Sequence, residues 1–284
     1  MMRAMFAAIS GLKVHQTMLD VAANDIANVN TIGYKAGRAS FKDALAQTER
    51  GASAPSTTLG GTNPMQIGLG VQLGSIDSVM SSGAIQSTGN PLDVAVQGGG
   101  WFRVADSTVG AVGTSTYYTR AGNFALDSSG NLVTQDGMYV VGYAQTAAGP
   151  PPVFGTTDGA IIVPAGAKSV SIGQNGVVAY VNASGTTVGL AKITLAKFPN
   201  DAGLSRVSGN RFALSNNSGA AAVGVPGDTT TGVGTLASGG VEMSNVDLAQ
   251  EFTSIIVAQR GFQANSRVIS ASDEILKDLV NIGR

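Results

Sequence analysis

The chain contains no cysteine. Disulfides, thiol nucleophiles and cysteine-ligated metals are excluded together. His15 is its only histidine, so a Ser–His–Asp arrangement would have a single possible base and a histidine-built metal site has no ligands to draw on. Charge is scarce too: charged residues are 12% of the 284 and the net charge is −1. A chain so nearly neutral has no electrostatic footprint for nucleic acid or an anionic membrane. No stretch approaches the ~18 uncharged apolar residues of a membrane span. Arg3, His15, Gln16 and Asp20 leave no unbroken apolar region for a secretory signal. The expectation is a soluble or assembled protein, either coated in Ser, Thr and Gly or buried against copies of itself. Any export would use a route without a cleaved signal peptide.

What is present is concentrated at the two ends. Leu248, Ile255, Phe262, Ile269 and Leu276 recur every seventh residue, with Phe252 beside them. Met5, Ile9, Leu12, Leu19, Ala23 and Ile26 follow the alternating four-and-three spacing of a coiled coil, interrupted by Gln16. Such a stripe must be buried against another helix. The N-terminal helix is expected over about Met2–Asn28, where Asn28, Asn30, Thr31 and Gly33 stop it. At the C-terminal helix Ser244 or Asn245 is the expected cap, with Asp247 placed to favour the dipole of the first turn. The first 50 residues carry six basic against four acidic side chains, and residues 241–284 carry four against six. That asymmetry favours pairing of the ends, weakly, because exposed charges are screened.

Between the ends the pattern changes from helical to β. Phe41–Gln47 could form a short helix, and Gly51–Met65, rich in Ser, Thr, Gly, Ala and Pro, reads as an extended linker. Short strands follow around Leu92–Val96, Trp101–Val104, Tyr117–Tyr118 and Met138–Tyr143, with a break at the proline run 150–152. Asn175-Gly176 between apolar runs is a strong hairpin signal. Ala191, Ile193 and Leu195 alternate with polar or small residues, as one buried face requires. The fold class is therefore a mainly β core domain inserted between N- and C-terminal α-helices that pair as a coiled coil. The expected division is 1–35 plus 241–284 as a helical polymerisation domain, 36–80 as an extended connector with a short helix, and 81–240 as a β-rich outer domain.

Few residues invite a chemical reading. Gly68, Gly70 and Gly74 lack the phosphate-loop spacing and a following helix. Asp127, Gly130 and Asn131 lack the closing Glu of a calcium loop, so a turn is the better account. Trp101 is expected as a core aromatic. Gly11 and Gly261 stand mid-helix, where glycine costs about 1 kcal/mol relative to alanine. Each is either a tolerated defect or a point of close helix approach. Asn24 and Asn28, one turn apart, are candidates for hydrogen bonds that fix helix register.

The segment Asn24–Lys35 (NDIANVNTIGYK) resembles the N-terminal signature of bacterial flagellar rod and hook proteins. Gly60–Pro64, Ser87–Asp93, Tyr118–Phe124 and Val257–Asn265 resemble the hook members in particular, in the same order along the chain. The resemblance covers both ends and most of the middle. It implies a compact structural subunit of the bacterial flagellar hook, a tubular flexible joint between rod and filament; Gly261–Asn265 favours hook over rod. The distal rod is the alternative, and a secreted β-rich adhesin a remoter one. The implied partners are copies of itself, the distal rod protein, the hook cap protein and the hook-filament junction protein, with no nucleic acid, membrane, small-molecule substrate, cofactor or metal. The implied location is the extracellular hook, reached through the flagellar type III apparatus. The polymerisation interface is expected at Met5, Ile9, Leu12, Leu19, Ile26, Leu248, Phe252, Ile255, Phe262, Ile269 and Leu276, with Gly11, Asn24, Asn28 and Gly261 setting register or close packing. No residue is expected to be catalytic.

Overall fold

A computed structural model describes residues 2–55, 60–106, 115–147 and 153–282. The chain forms two compact units, each built from segments distant in sequence. The first contains Met1–Ala27, Gly37–Val79 and Val246–Arg284; the second contains Asn28–Ala36 and Met80–Asn245.

In the first unit, helix α1 spans Met2–Ala27 and helix α2 spans Leu248–Ile282. Strong helix formers and the lack of proline let both run uninterrupted. The cap of α2 is neither Ser244 nor Asn245. Asp247 Oδ1 accepts the N–H groups of Ala249 at 2.9 Å and Gln250 at 3.4 Å, so one carboxylate both caps the helix and opposes its dipole. The two helices pair along their length. Beside them the strand Gly37–Asp43 runs antiparallel to Val71–Ser78, and Ala46–Arg50 runs antiparallel to Met65–Gly68. The short helix expected at Phe41–Gln47 is thus strand through Asp43 and again from Ala46, because cross-strand pairing overrides a seven-residue propensity. Gly51–Met65 is likewise no simple linker: Ser53 and Thr62 exchange backbone hydrogen bonds at 3.1 Å, continuing the two-stranded ribbon. Residues 56–59 lie outside the described residues, as does the proline run 150–152.

The second unit is a curled, mixed-neighbour sheet of thirteen strands among the described residues, flanked by two-stranded pairs. The Asn175-Gly176 hairpin forms as expected: Ser169–Ile172 pairs with Val177–Val181, and Gly176 takes a φ of 78°. The apolar alternation through residues 191–195 also holds, with Ile193 and Leu195 fully buried. It is divided, however, between two strands. Thr187–Ile193 pairs with Tyr139–Ala147, whereas Leu195–Lys197 pairs with Trp101–Ala105. Thr194 marks the switch, its hydroxyl donating to the Val141 carbonyl at 3.0 Å.

Two clusters fill the interior. One gathers Val94, Phe102, Phe124, Leu132, Val140, Ile193, Leu195 and Leu236. The other centres on Trp101, which meets the Phe212 ring edge-on at 4.8 Å and donates its indole N–H to Asp201 Oδ1 at 3.1 Å. Trp101 is a core aromatic. A buried Arg103 forks onto Asp158 at 2.7 and 2.6 Å, the bidentate geometry in which a buried guanidinium is best satisfied. Asp127 organises a turn, accepting from the N–H groups of Ser129 and Asn131 and the Asn131 amide.

Candidate assembly surface

Antiparallel α1 and α2 meet along small residues. On α1 the buried positions are Ala8, Gly11, Val14, Ala22 and Asp25; on α2 they are Ala258 and Ser272, with Gly261 and Asn265 half-buried between them. Gly11 and Gly261 are reciprocal. A Cβ on Gly11 would lie 2.7 Å from the Asn265 amide nitrogen, and a Cβ on Gly261 would overlap the His15 ring. Each glycine is a hole that receives a polar knob from the other helix, a close approach that a Cβ would obstruct. Asn265 is held by its own donation to the Gly261 carbonyl at 3.0 Å. His15 Nδ1 is buried without a hydrogen-bond partner.

In the observed register Gly11 faces Asn265 and His15 faces Gly261, and Asp25 falls near Glu251. Asp25 is fully buried, and its two carboxylate oxygens accept the Gly37 N–H at 3.1 and 3.0 Å. Burial first, and then the charges of Asp25 and Asp247, push the Glu251 carboxyl above its ordinary range. The helix pair thus carries a conflict of like charge near the start of α2.

The large heptad residues are not in this seam. On α1 the seam lies one position away from the expected stripe, a rotation of about 100°. Met5, Leu12, Leu19 and Ile26 flank it half-buried, Ile9 is exposed, and Phe6 is exposed at 62%. On α2, Ile255 and Ile269 flank the seam and Leu276 is half-buried past it, while Leu248, Phe252 and Phe262 remain exposed, Phe252 at 53% and Phe262 at 40%. Ile256, Val257, Val268, Ile275, Leu279, Val280 and Ile282 add to that uncovered surface. Helices brought together on glycine and alanine approach too closely to seat phenylalanine between them, so the bulky side chains turn aside. A heptad of large residues reveals that a stripe will be buried without revealing which helix buries it.

The two asparagines separate. Asn24 lies exposed on α1, but Asn28 falls beyond the end of that helix, where its Oδ1 accepts the Thr31 hydroxyl at 3.1 Å. Asn28 is a turn residue, not a helix-register residue. With 35 residues against 26, α2 also outruns α1. The register sets Met2 near Glu274, leaving Ile275–Ile282, about 12 Å of helix, without an α1 partner.

Three family profiles match. Residues 5–35 match the flagella basal body rod protein family, residues 95–180 the flagellar hook protein FlgE/F/G D1 domain, and residues 237–282 the flagellar basal body rod FlgEFG protein C-terminal family. The flagellar basal-body rod protein FlgG of Bacillus subtilis (strain 168) is 48% identical over all of both chains.

The chain belongs to the flagellar rod and hook family.

Rod and hook family members are structural proteins rather than enzymes, and they polymerise within the basal body and hook. A second rod relative, FlgG of Agrobacterium fabrum (strain C58 / ATCC 33970), is 39% identical over 96% of this chain and 97% of its own. The hook protein FlgE of Borreliella burgdorferi (strain ATCC 35210 / DSM 4680 / CIP 102532 / B31) is 27% identical over 99% of this chain and 100% of its own. That alignment needs 448 positions for a chain of 284 residues, whereas the Bacillus rod alignment needs 285. Against the preference for hook drawn from Gly261–Asn265, the rod relatives match this chain at higher identity and over a similar length, and the hook relative is more distant. Gly261 and Asn265 build the seam within one chain.

Proposed function

We propose that this chain is a subunit of the distal flagellar rod, polymerising through the uncovered apolar flanks of α1 and α2. The observation that carries the rod reading is the end-to-end match to rod proteins of the same length, where hook relatives need additional sequence. The apolar flanks supply the mechanism. Phe6, Phe252 and Phe262, with the overhang Ile275–Ile282, are left exposed by a helix pair that is complete without them. Each large side chain covered by a neighbouring copy contributes roughly 1.5–3 kcal/mol when fully buried. Copies joined by a heterologous contact that does not close build a helical tube. Met5, Ile9, Leu12, Leu19, Ile26, Leu248, Ile255, Ile269 and Leu276 belong to the same surface as its half-buried or exposed margin.

Under this reading the subunit acts within the basal body, and the hook cap and hook-filament junction proteins are partners only of the hook alternative. Export as an unfolded chain through the flagellar type III apparatus fits a sequence without cysteine, in which no disulfide can lock a premature fold. The deciding experiment is labelling of an epitope-tagged chain in hook–basal bodies isolated from cells that make it. Label on the rod is expected; label along the hook would overturn the assignment.

A further inference from the structure

The second unit holds a buried charge cluster that the assembly surface does not use. Lys35, just after α1 in sequence, and Glu242, just before α2, have no exposed side-chain surface. Lys35 Nζ donates to Glu242 Oε1 at 2.6 Å and to the Ser81 carbonyl at 2.8 Å. Arg120 Nη1 donates to Glu242 Oε2 at 3.1 Å, and the Gly83 N–H to Oε1 at 2.9 Å. Around this core the backbone segments are stitched directly: Gly33 N–H to the Glu242 carbonyl at 2.8 Å, and Ala36 N–H to Asn245 Oδ1 at 2.8 Å. Asn245 also donates to the Ser81 hydroxyl at 2.9 Å. Arg206 stacks over the Tyr34 ring at 4.9 Å and donates to the Lys35 carbonyl. Gly33 takes a φ of 68°, and a Cβ there would overlap the backbone of Arg120 and Ala121.

We infer that this clasp is a register device: it pins the chain leaving α1 to the chain entering α2, and so fixes which turn of one helix faces which turn of the other. The seam cannot do this alone. Its α2 side reads Glu251, Ser254, Ala258, Gly261, Asn265 and Ser272 at heptad spacing, and mostly small residues accept a partner slid by seven positions nearly as well. Polar knobs at Gly11 and Gly261 resist a slip only modestly. The clasp excludes slippage through charge-assisted bonds in a buried site, where breaking one partner strands the others. Specificity is the better-attested use of such buried ionic groups, as a registry element. The inference is the same for a rod or a hook subunit.

The absence of cysteine allows a direct test in the full-length chain. The observed register sets Met18 opposite Ala258, and a slip of one heptad sets it opposite Glu251. Two disulfide reporters, Met18→Cys with Ala258→Cys and Met18→Cys with Glu251→Cys, are placed in backgrounds carrying Asn245→Ala or Glu242→Gln, before and after assembly. Trp101 emission, from the only tryptophan, reports whether the second unit remains folded. The intact clasp should yield the in-register cross-link alone. With either clasp variant folded, the slipped cross-link should rise about tenfold relative to it. Unchanged in-register cross-linking in a folded variant would overturn the inference. Loss of the native Trp101 emission in both variants would overturn it too, since the cluster would then belong to the fold of the unit and not to helix register.

Discussion

Replacing Phe262 with Asp should abolish assembly while leaving the subunit intact. Phe262 lies outside the α1–α2 seam with 40% of its surface exposed, so removing it from the isolated chain disturbs little; the change in helix propensity amounts to a few tenths of a kcal/mol. In the polymer two losses combine. Covering the remaining surface would have contributed about 1 kcal/mol of the 1.5–3 kcal/mol for a whole phenylalanine. A carboxylate buried there without a partner costs several kcal/mol more. A combined loss of roughly 3–4 kcal/mol raises the concentration needed for elongation about 10²–10³-fold. Sedimentation and electron microscopy read the assembly, and circular dichroism with Trp101 fluorescence reads the fold. Tubes forming at the wild-type concentration would refute the role given to this flank. An unfolded variant would refute the separation of seam from assembly surface.

The helix pair buries alanine, glycine and serine more than large apolar side chains, so amide exchange over Leu248–Leu276 should be slower in the polymer than in the monomer; equal protection in both would count against this. Gly261→Leu should drive the His15 ring out of its hole and lower the thermal stability of the helical signal by about 1–3 kcal/mol of overpacking, more than the helix propensity it gains. Glu251, whose carboxyl is raised by burial and by Asp25 and Asp247, contributes stability below the ordinary carboxylate range that is lost as pH rises through the raised value. Glu251→Gln should therefore stabilise the helix pair at neutral pH and flatten its pH-dependent melting, whereas an unchanged profile would remove the like-charge conflict from the account. Lys35 is lowered by burial against the pull of Glu242, so its contribution is present above the ordinary lysine value and is lost as pH falls. Lys35→Met or Glu242→Gln alone should leave the β-rich unit folded in the absence of denaturant but lower its stability by roughly 3–5 kcal/mol, and the double variant by distinctly less, read by denaturant melts of Trp101 emission.

Local chemistry wrote much of this protein legibly. Asn175-Gly176 specifies a hairpin because both residues tolerate positive φ, and alternation through residues 191–195 buries one face at either side of a strand switch. The seven-residue spacing of Leu248–Leu276 announces a long helix with a stripe to cover, and the motifs at Asn24–Lys35 and Val257–Asn265 announce the family. Periodicity reports angle around a helix axis, however, not the identity of the partner. Only the tertiary structure decided that α1 and α2 meet on Ala8, Gly11, Ala258 and Gly261 and leave Phe252 and Phe262 for other contacts. The strands at Phe41–Gln47 were decided in the same way, by pairing with residues some twenty to thirty positions away that no local window contains. Lys35, Arg120 and Glu242 were equally hidden. A charged residue carries no sign of burial in its sequence neighbours, and 207 residues separate Lys35 from the carboxylate that holds it; the fold alone closes that distance.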